Sequence, residues 1–163
     1  MVQLKAFARQ DGFFVGLVWC ASFAALAFMP QSILSLFLGF VSLWLAGRFL
    51  CRFRDSVLGG SISFLRAWLY STFVFVYASL IFSVGLYVYF RFIDGGRFVA
   101  LMRQSMNPEV LQQYGLEMPL YTETINAMAM LTPIQWSMMF LLQNITAGFF
   151  LGLLLALIYR KSK

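Results

Sequence analysis

Mostly apolar stretches at 12–29, 33–50, 64–90 and 134–159 dominate the chain, and nearly all charged residues stand between or beside them. A helix rises about 1.5 Å per residue, so roughly 20 apolar residues cross a hydrocarbon layer of about 30 Å. The uncharged run between Arg66 and Arg91 alone is long enough, at about 36 Å of helix. The pattern predicts an all-α polytopic membrane protein with four transmembrane helices, built as a single integral membrane domain over residues 1–163.

The gaps carry stop and start signals. Met1 to Asp11 reads as a short polar start before the first span. With Lys5, Arg9, the apolar run and Ala25-Leu26-Ala27 it has the layout of a signal peptide, but the run is long enough to be a span and is read as one. Pro30 ends that helix and Ser32 is placed to cap the next. Ser35, Gly39, Ser42, Ala46 and Gly47 give the second span a small-residue face that another helix can approach closely. Residues 56–63 read as a Gly-Gly and Ser linker, and Gly95-Gly96 ends the third span. The one long polar region, 91–132, should hold one or two short interfacial helices. The spacing of Phe98, Val99, Leu101, Met102 and Met106 predicts an amphipathic helix from Arg97 to Met106. Asn107-Pro108-Glu109 is a helix start, with an end expected at Gly115, and Glu117 to Leu131 is weakly amphipathic and rich in Met. Pro133 opens the fourth span.

Composition agrees with the pattern: 61% of residues are hydrophobic, 11% charged, and the mean hydropathy is +0.81. A soluble domain carries about 25% charged residues. The net charge of +6 does not point to nucleic acid, because no basic block occurs away from the span ends. Lys5, Arg9, Arg48, Arg52, Arg54, Arg66, Arg160, Lys161 and Lys163 fall on one side of a four-span layout, and Arg91, Arg97 and Arg103 on the other. Asp94, Glu109, Glu117 and Glu123 join the second group. Loops left in the cytoplasm are the basic ones, so both termini are expected in the cytoplasm, with 91–132 outside.

Candidate chemistry is sparse. The chain has no His, which removes the commonest general base and most zinc sites. Cys20 and Cys51 should lie at different depths and act as apolar filler without a disulfide. The outer carboxylates are spaced too widely for a ligand motif, and Met118, Met128, Met130, Met138 and Met139 suit apolar packing better than soft-metal binding. Neither a catalytic residue, a metal nor a cofactor is expected. Arg48, Arg52, Arg54 and Arg66 gather near the ends of the second and third spans. Guanidinium groups grip phosphate in pairs, so these four are the candidate contacts for a lipid or phosphate headgroup; topology-setting charge in ordinary lipid contact is the plainer reading. Gln143 and Asn144 lie deep in the fourth span, where polar amides should face other helices or line a polar cavity. Gly148 and Gly152 form a GxxxG pair suited to close packing, inside the chain or between copies. Ser71, Thr72, Ser79 and Ser83 read as packing and back-bonding groups, and Trp68, Tyr70, Tyr87, Tyr89 and Phe90 as interfacial aromatics.

Ile62-Ser63-Phe64-Leu65-Arg66-Ala67-Trp68, the aromatic span after it, and Tyr89-Phe90-Arg91-Phe92-Ile93-Asp94 together resemble a Bacteroidota family of small membrane proteins, the domain of unknown function 4199. The resemblance covers nearly the whole chain. It implies an inner-membrane protein of a Gram-negative cell, no assigned activity, and gene neighbours that include a membrane glycosyltransferase acting on lipid-linked sugars. In that family pattern a proline follows the Ile93-Asp94 pair, where this chain has Gly95.

The expectation is therefore a non-catalytic accessory or scaffold subunit in contact with membrane lipids and with a membrane protein partner or a second copy of itself. The alternative is a small translocator of a lipid or a polyprenyl-phosphate-linked sugar.

Overall fold

The computed structural model describes residues 2–104 and 118–161. Among these residues six helices follow in order: α1 (Val2–Phe28), α2 (Leu34–Val57), α3 (Phe64–Phe92), α4 (Arg97–Gln104), α5 (Met118–Ala129) and α6 (Pro133–Tyr159). Four of them, α1, α2, α3 and α6, are long and apolar enough to cross a membrane. The all-α, four-span architecture is thus the one the apolar pattern predicts. The proposed helix start at Asn107-Pro108-Glu109, its end at Gly115, and the carboxylates of Glu109 and Glu117 lie outside the described residues.

Two helices overrun their expected bounds. The stretch before Gly12 is helical, because Leu4, Ala8, Asp11 and Val15 form one stripe at helical spacing and all four are buried. Likewise α2 continues past Leu50 to Val57, since Phe53 extends the buried stripe of Ala46 and Leu50 by another turn. Side-chain hydrogen bonds support the starts of α2 and α6. The Ser32 hydroxyl accepts the Leu34 amide at 3.2 Å. Thr132 and Gln135 form a reciprocal capping box at the start of α6, with Pro133 in the first turn.

Gly95 and Gly96 have φ of 51° and 84°. Proline is locked near −65°, so the turn this chain makes after Asp94 is one that proline cannot form. Asp94 secures it: its carboxylate accepts the amides of Gly96 and Phe98, both at 2.9 Å, and so launches α4.

Helix α3 is the axis of the bundle. It packs along α6 on one side and α1 on another, while α2 lies mainly against α1 and reaches α3 and α6 only lightly. One core cluster occupies the end that holds the start of α1 and the end of α6, built from Leu4, Leu50, Phe53, Tyr70, Phe75 and Ala156 among others. A second, almost wholly aromatic, fills the opposite end around Phe23, Phe82, Tyr89, Phe98 and Trp136. Trp19 joins them, stacked on Phe75 at 6.0 Å and edge-on to Phe82 at 6.0 Å. Tyr70 and Tyr89, expected as interfacial aromatics, are buried instead, because each ring is clamped between helices. At the terminal end a backbone bridge joins Ile62 to Lys161, with Ile62 N–H donating to the Lys161 carbonyl at 2.9 Å.

Candidate functional site

Among the described residues, an ionisable cluster drawn inside the bundle centres on Asp11, which is 0% exposed. Arg52 of α2 donates to Asp11 Oδ1 at 2.7 Å, and the Tyr70 hydroxyl of α3 donates to Oδ2. Three helices are therefore tied through one carboxylate. Tyr70 is held by ring stacking on Phe53 at 4.5 Å, and the Arg52 guanidinium lies over Phe49 at 5.2 Å. Both carboxylate oxygens are engaged, the Tyr70 ring is buried, and only Arg52 reaches the surface, with its side chain 52% exposed. The arrangement suits a structural brace. A buried carboxylate needs charge-assisted partners, and these two partners engage both oxygens of Asp11.

Sequence reasoning missed this cluster because it treated Asp11 as the last residue of a polar leader. The signal was present: Asp11 stands at the i+7 position of the Leu4, Ala8, Val15 stripe, so continuing the helix backwards would have turned it inward.

The four candidate arginines do not converge. Arg48 lies over Trp44 at 5.9 Å and shares with Arg52, Phe49, Cys51 and Asp55 a shallow cleft of about 340 Å³. Arg54 is turned away, bound to Asp55 at 2.8 Å and to the Tyr159 carbonyl at 3.2 Å. Arg66 lines a different cleft of about 420 Å³ with Gln3 and Ser63, floored by Leu4, Phe53, Leu58, Leu65 and Leu69. The expected cluster is thus split in three, because Asp11 and Asp55 each claim one guanidinium and Arg66, on α3, lines a separate cleft.

On α6 the sequence candidates also part company. A Cβ on Gly148 would come within 2.5 Å of the Phe75 Cβ, and one on Gly152 within 3.1 Å of the Thr72 Oγ1. Both glycines are therefore used inside the chain, where α6 lies directly on α3. Asn144 bonds back to the Phe140 carbonyl of its own helix at 2.8 Å. Gln143 is exposed on the outer side and makes no hydrogen bond among the described residues. Neither amide bridges two helices of this chain, since the face turned to α3 is taken by the glycines. Ser79 and Ser83 back-bond to Phe75 and Leu80 as expected, while the hydroxyls of Ser71 and Thr72 are buried without a hydrogen-bond partner. Among the described residues no group of three or more Cys, Asp or Glu is placed to hold a metal, and Cys20 and Cys51 are both free thiols.

Residues 10–161 match the family described as Protein of unknown function (DUF4199). The chain belongs to that family. The matched region takes in Asp11, Arg52 and Tyr70, so the whole brace lies within the DUF4199 domain. No curated protein and no solved structure matches this DUF4199 chain.

Proposed function

We propose that this DUF4199 protein is a non-catalytic integral protein of the inner membrane that serves as an accessory or scaffold subunit for a membrane protein partner. The observation that supports this reading most is the Asp11–Arg52–Tyr70 brace. The ionisable cluster inside the bundle is committed to holding α1, α2 and α3 together, which leaves the lateral helix faces as the working surface. Those faces are broad and apolar: Leu36, Phe37, Phe40 and Trp44 on α2 and Leu142, Phe150, Leu154 and Ile158 on α6 all point outward. A translocator needs a polar path for its headgroup. The described interior between the level of Asp11 and that of Asp94 is instead filled by Trp19, Phe23, Phe75 and Phe82.

Both termini and Arg48, Arg52, Arg54 and Arg66 are placed in the cytoplasm by this reading, on the strength of the basic bias of that end. A membrane glycosyltransferase acting on lipid-linked sugars is the first partner to look for. The test is crosslinking in intact membranes followed by purification in mild detergent. A second membrane protein recovered in fixed stoichiometry, and again when the tag is moved to that protein, is the expected result. A chain that crosslinks to no other protein in its native membrane would sink the reading.

A further inference from the structure

Gln143, Ala147, Phe150, Leu154 and Leu157 follow one another along α6 at steps of four and three, and all five are exposed. They form one stripe on the side of the helix away from Gly148, Gly152 and Leu155, which are buried. Steps of four and three are the spacing at which two helices pack along a shared left-handed seam. The stripe begins with a carboxamide only three residues, about 4.5 Å, from Thr146 at the middle of α6. At that depth no water meets the amide, and an unmet donor and acceptor in hydrocarbon are costly. The neighbouring polar groups are settled within the helix, Asn144 on the Phe140 carbonyl and the Thr146 hydroxyl on the Leu142 carbonyl. Gln143 has no such partner among the described residues.

We infer that the occupant of this stripe is a second copy of the chain, lying parallel with α6 against α6 and the two Gln143 carboxamides bonded to each other. A carboxamide is both donor and acceptor and so complements itself. A twofold axis along the membrane normal sets each residue beside its own counterpart, which matches the depth of the two amides without further adjustment. A single polar amide in an otherwise apolar seam fixes register and strand number. Ala147, one turn on, is small enough for the helices to close, and Phe150, Leu154 and Leu157 pack the remainder. The GxxxG pair, the dimer motif legible in the sequence, cannot serve here because Phe75 and Thr72 already occupy it. The inference deepens the scaffold reading by naming one occupant of the lateral surface.

Two measurements on the full chain test it. In a Cys20→Ala, Cys51→Ala background, single cysteines are placed at Ala147, at Phe150, or at Val84, a 64% exposed position on α3, and native membranes are oxidised. Covalent dimers are expected from the first two and not from Val84→Cys. Separately, energy transfer between donor- and acceptor-labelled chains is followed in liposomes as lipid is added. Gln143→Leu should move the midpoint of dissociation about tenfold toward higher protein density, and Gln143→Asn should move it less. Gln143 is exposed, so helix content by circular dichroism should be unchanged in both variants. Equal crosslinking at all three positions, a midpoint indifferent to Gln143→Leu, or a wild-type monomer at every dilution overturns the inference. A monomer that still retains a different membrane protein in fixed ratio overturns the second copy but keeps the scaffold reading. A dimer with no further partner does the reverse.

Discussion

Asp11 joins three helices at the terminal end. Truncating it to Ala would leave the Tyr70 hydroxyl without an acceptor in a buried site and strip Arg52 of its counter-ion. Arg52 can turn to water, so the cost falls below that of a fully buried pair, at about 2–3 kcal/mol. Tyr70→Phe keeps the stacking on Phe53 and loses only the hydroxyl, for about 1–2 kcal/mol. Reversible unfolding in mixed micelles of both single variants and the double variant should show coupling of about 1 kcal/mol between them. Strict additivity would mean that the hydroxyl and the carboxylate do not act as one unit.

Among the elements, the α3–α6 contact is the most extensive, and its glycines set a clear contrast. Gly148→Ala pushes a methyl into the Phe75 Cβ at 2.5 Å, and overpacking of that kind costs about 1–3 kcal/mol. In α2, an added Cβ at Gly39 meets nothing within 4 Å, so Gly39→Ala should be neutral or stabilise by up to about 1 kcal/mol through helix propensity. Thermal midpoints of the two variants in one detergent compare them directly. Thr132→Ala removes half of the capping box and should cost about 1 kcal/mol. The helices themselves were largely legible, because apolar length and Pro, Gly and Thr punctuation are local signals. What stayed hidden was which side each helix shows to which neighbour. Gly148 and Gly152 could have faced another copy, and Gln143 could have faced inward, until the position of α3 was known. Asp11 was hidden for a simpler reason: a polar residue next to an apolar run looks like a boundary unless its helical stripe is traced past it.

At the scale of the whole molecule, the Lys and Arg bias carries a prediction, that both termini lie in the cytoplasm. A reporter that folds only in the periplasm, fused after Lys163, should stay silent, while the same reporter inserted after Gly96, in the turn between α3 and α4, should be active. The opposite pattern would invert the protein. The candidate headgroup arginines were only partly legible for a related reason. Sequence proximity put Arg54 and Arg66 beside Arg48 and Arg52, but Arg54 is held by Asp55 and the Tyr159 carbonyl, and the turn at Gly59 and Gly60 comes before an α3 whose Arg66 lines a separate cleft.

The brace also dictates an order of assembly. Asp11 is made 41 residues before Arg52 and 59 before Tyr70. At about 5–20 residues per second of synthesis, the first helix waits several seconds at the membrane with its acid unmatched. Its acid gains its second partner only when the third helix arrives. The first three helices therefore mature together, and nascent chains arrested before Tyr70 should release α1 to alkaline extraction far more readily than chains arrested after α3 is complete.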